Sequence, residues 1–389
     1  MSRLGLRLNR HRGLRSLKSV LSLLAGYPLY LAGYLVPKQA HTWVFGNVLG
    51  YRDSARYLFE YVRRHHPDIN AVWIYRRGDR LPDSCDGCYR LWSVPGLWYQ
   101  YRARIAFLST GMGDVARFTL ARTRLVQCWH GIPIKRILLD SDESLPSGNS
   151  SSWINRLARR VLQHNLSRYS LVLASSDFIQ ERFSSAFGLP AEKIAVTGFP
   201  RHDIIMAHAD EVRPRVLYAP TWRPDAAAAL SIVQLVCNPG FVSALQQLGY
   251  ELRVSIHPLN AGIEQPLREV LQDSVTFLVK QDINVEPARS EVLITDYSSV
   301  AIDFSLLGRR VIFFAPDLDD YMDARDTYPE FTDMIRQHRA RDQRALLAAV
   351  SNRENTAILD AAACFMYHDT GSRARVVALV RQRFLLAGT

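Results

Sequence analysis

From residue 42 onward, short β-rich runs alternate with segments of helical periodicity. Few architectures accept that order; parallel strands joined by crossover helices do. In the first half the candidate strands are Thr42–Phe45, Ala71–Tyr75, Ile105–Ser109, Leu125–Trp129, Leu171–Ala174 and Lys193–Val196. Between the first two, Ala55, Leu58, Phe59 and Val62 recur at helical spacing and predict a helix over Ser54–His65. The pattern resets near Pro200–Pro214. Beyond it lie candidate strands Val216–Tyr218, Leu252–Ile256, Val275–Val279, Val292–Thr295 and Val311–Phe314. Helical patterns fall at Phe241–Leu248, Ile263–Leu271, Val300–Leu307, Asp342–Val350 and Arg373–Phe384. The 389 residues suit two domains, and a 48% hydrophobic share is enough for two cores. The expectation is an α/β protein of two Rossmann-like domains, 41–205 and 206–389, with a cleft between them. A segment of different character, 1–40, precedes them. Open parallel sheets take ligands at the carboxyl ends of their strands, so the residues just after each strand carry the functional interest.

The net charge of +11 is unevenly spread. No Asp or Glu precedes Asp53, whereas Arg3, Arg7, Arg10, Arg12, Arg15, Lys18, Lys38 and Arg52 are all positive. Such a start points to an anionic surface, either lipid head groups or nucleic acid. Ser19–Pro37 carries no charge and approaches the length of a membrane span, but Gly26, Pro28 and Gly33 interrupt it. The preferred reading is a helix in the interface of the cytoplasmic leaflet. That makes 1–40 a membrane-associating segment and the protein peripheral on the cytoplasmic face of the cell membrane. A single span and a buried helix of the first domain stay open. A nucleic-acid partner is disfavoured, because neither aromatic interleaving nor a known module accompanies the charge.

The polar stretch Asp140–Ser152 reads as a mobile loop. After it, Trp153, Leu157 and Val161 form one stripe of a helix, with Arg156, Arg159 and Arg160 on its polar face. It is either a second membrane contact or an ordinary surface helix. Five cysteines are too sparse for a disulfide framework and fit a reducing compartment. Cys85-Asp-Gly-Cys88 is a lone CxxC and reads as a loop rather than a zinc or redox site.

Four motifs end strands with chemistry. In Gln127-Cys128-Trp129-His130-Gly131-Ile132-Pro133-Ile134-Lys135, Gly131 permits a tight turn and Pro133 stops the strand. His130 is then placed to take a proton from an attacking hydroxyl, and Lys135 to steady a phosphate. Tyr218-Ala219-Pro220-Thr221-Trp222-Arg223 offers a hydroxyl and a guanidinium fork. Ser255-Ile256-His257-Pro258 ends a strand of the other domain with a second histidine. In Ile294-Thr295-Asp296-Tyr297-Ser298-Ser299, two serines open a helix, whose N-terminus attracts anions. Each motif has a bland reading: a hydrogen-bonded strand-end histidine, a core tryptophan beside a surface arginine, a plain N-cap. Taken together they read as a diphosphate pocket facing a base. No P-loop, GxGxxG or GxSxG is present. Asp317, Asp319 and Asp320 read as a solvated loop, so neither a metal nor a cofactor is called for.

The series Trp-His-Gly-x-Pro-x-Lys, Tyr-Ala-Pro-Thr-Trp-Arg, His-Pro and Ile-Thr-Asp-Tyr-Ser-Ser, in this order, resembles the CDP-glycerol glycerophosphotransferase family. That family holds teichoic acid primases and polymerases and related capsule polymerases. The likeness spans roughly residues 40 to 380 and includes Trp43-Val44-Phe45-Gly46 and Val72-Trp73-Ile74. It implies a GT-B fold whose second domain holds the donor and whose first faces the acceptor. It implies that His130 and His257 are catalytic, His130 as base, and that Thr221, Arg223, Asp296, Ser298 and Ser299 hold donor phosphates beside Gly131 and Lys135. The donor would be CDP-glycerol or CDP-ribitol, the acceptor a lipid-linked primer or growing polymer, and the leaving group CMP. Arg325-Asp326-Thr327-Tyr328 and Asp369-Thr370-Gly371-Ser372 depart from the family pattern and leave the polyol open. The competing readings are a GT-B glycosyltransferase using a nucleotide sugar and a non-catalytic subunit of an envelope-assembly complex. The Asp-Tyr-Ser-Ser block disfavours the first and the intact histidines the second.

Overall fold

The computed structural model describes residues 26–141, 153–279, 283–324, 327–353 and 360–385. The polybasic start, the front of the apolar run and most of the polar stretch 140–152 lie outside the described residues. Two compact units divide the chain. One comprises Met1–His130, Ile137–Pro200 and Gly371–Thr389; the other comprises Gly131–Arg136 and Arg201–Thr370.

The first unit is built on β1 (Gln39–Gly46), β2 (Asn70–Tyr75), β3 (Cys88–Arg90), β4 (Ala103–Leu108), β5 (Arg124–Gln127), β6 (Tyr169–Ala174) and β7 (Ile194–Val196). They form one sheet in the order β3-β2-β1-β4-β5-β6-β7, with every pairing parallel. Helices cover both faces of such a sheet, so its central strands are near-continuous apolar runs. Trp43, Phe45, Phe59, Trp73 and Phe107 fill the core, with Phe45 and Phe107 stacked at 4.7 Å. The helix Asp53–His65 buries Ala55, Leu58, Phe59 and Val62, the stripe its periodicity predicts.

The second unit carries β8 (Arg213–Ala219), β9 (Glu251–Ile256), β10 (Val275–Val279), β11 (Ser290–Thr295), β12 (Arg310–Phe314) and β13 (Arg339–Ala340). Their order, β10-β9-β8-β11-β12-β13, again all parallel, is the Rossmann winding, and the first sheet repeats it with one strand added. Each sheet therefore has a switch point, between β1 and β4 in one and between β8 and β11 in the other. The apolar stretch Ala226–Gln247 is broken at Asn238-Pro239 and buries Val233, Val236, Phe241, Val242 and Leu245 in this core.

Several features depart from the sequence expectations. The edge strands β3 and β13 have only three and two residues, too few to show a period. The helix Ser372–Phe384 packs with the first unit, through Arg381 to Asp68 at 2.9 Å and Arg375 Nε to the Thr197 carbonyl at 2.9 Å. Residues 131–136 instead join the second unit, where Tyr328 N donates to the Ile134 carbonyl at 3.1 Å and Lys135 bridges to Thr327. Cys85 and Cys88 flank the turn into β3, as the loop reading has it, with their sulfurs paired. The apolar stripe Trp153, Leu157 and Val161 of the helix Trp153–Ser167 faces outward, and so do Tyr27, Leu29 and Leu31 on a helix over 26–32.

Candidate active site

In the first unit the carboxyl ends of β1 and β4 are tied together by one buried carboxylate. Asp114 Oδ1 accepts Val48 N at 2.8 Å and the Thr110 hydroxyl. Its Oδ2 accepts the N–H groups of Ser109 (2.8 Å), Thr110 (2.8 Å) and Gly111 (3.1 Å). The Ser109 carbonyl, so fixed, meets Nδ1 of His130 at 3.0 Å. A carbonyl only accepts, so Nδ1 carries the ring proton and Nε2 is left with the lone pair a base requires. The approach to His130 is held as firmly. Gln127, buried on β5, accepts Trp129 N at 3.0 Å. Trp129 has φ +56 and lays its ring against Phe183 and Phe187. A bulky residue held in the left-handed region costs about 1–3 kcal/mol and persists only where its surroundings fix it.

In the second unit the corresponding place is the pair of ends of β8 and β11. Asp296, 1% exposed, accepts Thr221 N at 2.7 Å, the Thr221 hydroxyl at 2.5 Å and Tyr297 N at 2.7 Å on one oxygen. Its other oxygen lies 3.4 Å from Arg223 Nη1, and neither of those two buried atoms has a hydrogen-bond partner. Arg223 Nη2 donates to both oxygens of Asp317, at 3.1 and 2.9 Å. The Arg223 backbone is clasped by Asn260, which accepts its N–H at 3.2 Å and donates to its carbonyl at 3.0 Å. Tyr297 and Tyr321 stack at 3.6 Å beneath the guanidinium, and Lys135 Nζ lies 5.2 Å over the Tyr321 ring. The Tyr297 hydroxyl donates to Asp317 at 2.9 Å. Burial, then the Asp317 charge, holds this phenol far above its ordinary value.

Gly131 explains the meeting of two motifs. A Cβ built on it would lie 2.6 Å from Ser299 Oγ and 3.3 Å from Ser299 Cβ, so glycine lets the 131–136 segment close onto Ser299 without displacing that side chain. Val300 N reaches Ser298 Oγ at 3.5 Å, a weak contact that leaves the hydroxyl available. Behind them Asp303, buried, accepts from Arg201 Nη2 at 2.8 Å and lies 3.1 Å from His202 Nε2. Burial alone would raise the Asp303 carboxyl; the Arg201 charge and the His202 contact outweigh it and hold it below its usual value. Burial likewise pushes His202 down, against the pull of Asp303. His257 ends β9, and its Nδ1 accepts Leu259 N at 3.2 Å, which puts its ring proton on Nε2.

Among the residues singled out in the sequence, Gly131, Lys135, Thr221, Arg223, Asp296, Ser298 and Ser299 all lie in this unit, at or beside the ends of β8 and β11. His257 ends β9 there, and His130 ends its strand in the first unit. Asp296 differs from its expected part: a carboxylate that accepts three donors on one oxygen and faces the Arg223 guanidinium with the other positions Thr221 and Arg223. Asp317, read as a solvated loop residue, is the second carboxylate on Arg223. Asp114, Asn260, Arg201, His202 and Asp303 went unread, although a Ser-Thr-Gly turn followed three residues later by Asp was a visible signal for the first.

Twin Rossmann-like units with polar groups gathered at their strand ends place the chain among the GT-B-like α/β folds. Residues 29–382 match the family described as CDP-Glycerol:Poly(glycerophosphate) glycerophosphotransferase, and the chain belongs to that family. It is 26% identical over 290 residues to a teichoic acid poly(glycerol phosphate) polymerase of Staphylococcus epidermidis, covering 70% of this chain and 39% of that one. The chain thus spans about two-fifths of that polymerase's length. It is also 26% identical over 334 residues to a teichoic acid glycerol-phosphate transferase of Staphylococcus aureus, covering 79% and 82%. The solved structure of the wall teichoic acid polymerase TagF, soaked with CDPG as its H444N form, shares the fold. Its TM-score is 0.72 at 20% identity, over 100% of this chain and 99% of that one.

Proposed function

We propose that this protein transfers glycerol phosphate from CDP-glycerol to a hydroxyl of a lipid-linked primer or growing teichoic acid or capsule-type polymer, releasing CMP. The acceptor oxygen attacks the distal phosphorus, the bond from that phosphorus to the bridging oxygen breaks, and CMP departs with the electron pair. His130 Nε2 takes the acceptor proton. His257, with its proton on Nε2, donates to a phosphate oxygen. Thr221, Arg223, Lys135 and the Ser298–Ser299 pair bind the diphosphate, and Asp296 holds the first two in place. Such a transfer is mostly positioning and charge stabilisation, so these groups suffice. The observation that carries the reading is the cluster at the ends of β8 and β11. There a buried guanidinium, held by Asp317 and 3.4 Å from Asp296, stands beside a carboxylate-fixed hydroxyl. We further infer that the protein works at the cytoplasmic face of the cell membrane; its polybasic start and the outward apolar residues at 27–35 and 153–161 support this.

The test is CMP release by the purified protein with CDP-glycerol or CDP-ribitol, with and without a lipid-linked acceptor. Acceptor-dependent CMP from CDP-glycerol is expected. His130→Ala is expected to abolish it while CDP-glycerol still binds. Release of CMP from neither donor by folded protein refutes the activity, and near-normal turnover of the variant refutes His130 as base.

A further inference from the structure

The sheet of the first unit has a second end, opposite the strand ends that carry His130 and the Asp114-bound loop. Its strands are parallel, so Lys38 before β1, Arg104 opening β4, Arg122 and Arg124 at the start of β5 and Arg168 before β6 all gather there. Between them opens a basin of about 410 Å³ lined by Tyr30, Arg104, Arg122, Arg124 and Arg168. Among the described residues none of the four arginines pairs with a carboxylate. Their other contacts leave the positive charge uncompensated. Arg122 donates to the Tyr34 carbonyl at 3.2 Å, Arg168 lies 5.1 Å over the Tyr30 ring, and Arg124 lies 5.8 Å over Phe384. Lys38 Nζ beside them donates to the Tyr101 carbonyl at 2.7 Å and to the Thr123 hydroxyl at 2.8 Å.

The rim of the basin is apolar and outward. Tyr30 belongs to the helix over 26–32, whose neighbours Tyr27, Leu29 and Leu31 are about half exposed or more, and Leu35 just beyond is 86% exposed. This segment is anchored, not loose. The Tyr101 hydroxyl donates to the Leu29 carbonyl at 3.1 Å, and Gly33 packs on Ala121 and Tyr101. Phe118 carries the apolar surface on to Trp92, 62% exposed, at 5.7 Å. A soluble anion needs no such rim, whereas a phospholipid offers phosphate and acyl boundary side by side.

We propose that this basin binds the phosphate of an anionic phospholipid head group, with Tyr27, Leu29, Leu31 and Leu35 entering the acyl boundary beside it. The assignment rests on the membrane-surface reading above and adds a specific lipid site to it. Burial, then the charges of Arg122 and Arg104, pushes the Lys38 amine down to about 8.

The experiment is co-sedimentation of the full chain with vesicles of phosphatidylcholine alone or mixed with phosphatidylglycerol. The variant R122N/R124Q is compared with R336Q/R344Q, which removes equal charge from the second unit. Asparagine suits the φ of +58 at position 122. At about fivefold per basic residue near an anionic surface, R122N/R124Q should weaken phosphatidylglycerol-dependent binding roughly 30-fold. R336Q/R344Q should leave it near wild type. If wild type binds and R122N/R124Q binds equally well, the basin assignment is overturned while the membrane reading stands. If wild type binds neither vesicle, both fall. Saturable binding of inorganic phosphate, lost in R122N/R124Q while vesicle binding is unchanged, would reassign the basin to a soluble ion and overturn the head-group site.

Discussion

Replacing Asp114 tests whether one buried carboxylate organises the strand ends of the first unit. In Asp114→Ala the N–H groups of Val48, Ser109, Thr110 and Gly111 all lose their acceptor, the Ser109 contact buried and the other three partly so. An unsatisfied buried donor costs about 1–3 kcal/mol, so Ser109 N–H sets a floor of about 1 kcal/mol and the three part-buried donors raise the loss towards about 4 kcal/mol. That is a large part of the ~5–15 kcal/mol that keeps a domain folded. Asp114→Asn is milder. Its one remaining oxygen is best placed where Oδ2 now accepts three N–H groups, which turns the amide NH2 towards Val48 N and strands that donor. About 1 kcal/mol or less is expected, because Val48 is partly exposed and water can reach its N–H. Urea unfolding followed by tryptophan fluorescence measures both, and hydrogen exchange at Val48 and Ser109–Gly111 localises the loss. Because the Ser109 carbonyl holds His130, Asp114→Asn should also lower kcat for CMP release with little change in the KM for donor. A loss below about 1 kcal/mol in Asp114→Ala, or unchanged exchange at these amides, would refute the reasoning.

Two further perturbations address the second unit. Gly131→Ala puts a methyl group against Ser299, and such overpacking costs about 1–3 kcal/mol. Calorimetry should show weaker CDP-glycerol binding, and unchanged affinity would mean that the closeness of Gly131 and Ser299 does not matter to the donor. Asp303 makes stability pH-dependent. Its lowered value means that it contributes above about pH 4 and that this contribution is lost as pH falls through the folded-state value. His202, kept neutral by burial, also favours the folded state less as pH falls below about 6.5. Asp303→Asn should cost about 3–5 kcal/mol at neutral pH by uncoupling Arg201, and should flatten the acid limb of the urea midpoint against pH. An acid limb as steep as that of wild type would count against the triad.

The strand cores were legible because a parallel sheet buried on both faces leaves an apolar run that few other structures produce, as in Val292–Ile294 and Leu171–Ala174. The helix Asp53–His65 was legible from its stripe. The helix Pro200–Ala207 was not, because Arg201, His202 and Asp203 are all buried beside Ile205 and no polar face remains to mark a period. Which unit a segment joins is set by distant partners. Nothing local in residues 131–136 announces Tyr328, and nothing in Arg381 announces Asp68. The site followed the same rule. Residues that end strands could be read, whereas those that hold them, Asn260 and Asp114, sit in short 3-10 turns whose composition is ordinary. Arg223 and Asp296 were found but their pairing was not, nor was the part of Asp317, which lies 94 residues from Arg223.

The histidines show what the structure adds beyond position. Both end strands, and the sequence favours His130 as base without showing what holds either ring. Their neighbours separate them. His130 Nδ1 meets a carbonyl, which can only accept, while His257 Nδ1 meets a backbone N–H, which can only donate. The neutral rings are therefore opposite tautomers, the first with a lone pair on Nε2 and the second with a proton there. A transfer from a diphosphate needs one of each, a base for the incoming hydroxyl and a donor to the phosphate oxygens, and exchanging the roles would require breaking both backbone contacts. The assignment of His130 as base thus depends on the Ser109 carbonyl, and through it on Asp114, a residue that touches neither substrate in the proposed reaction.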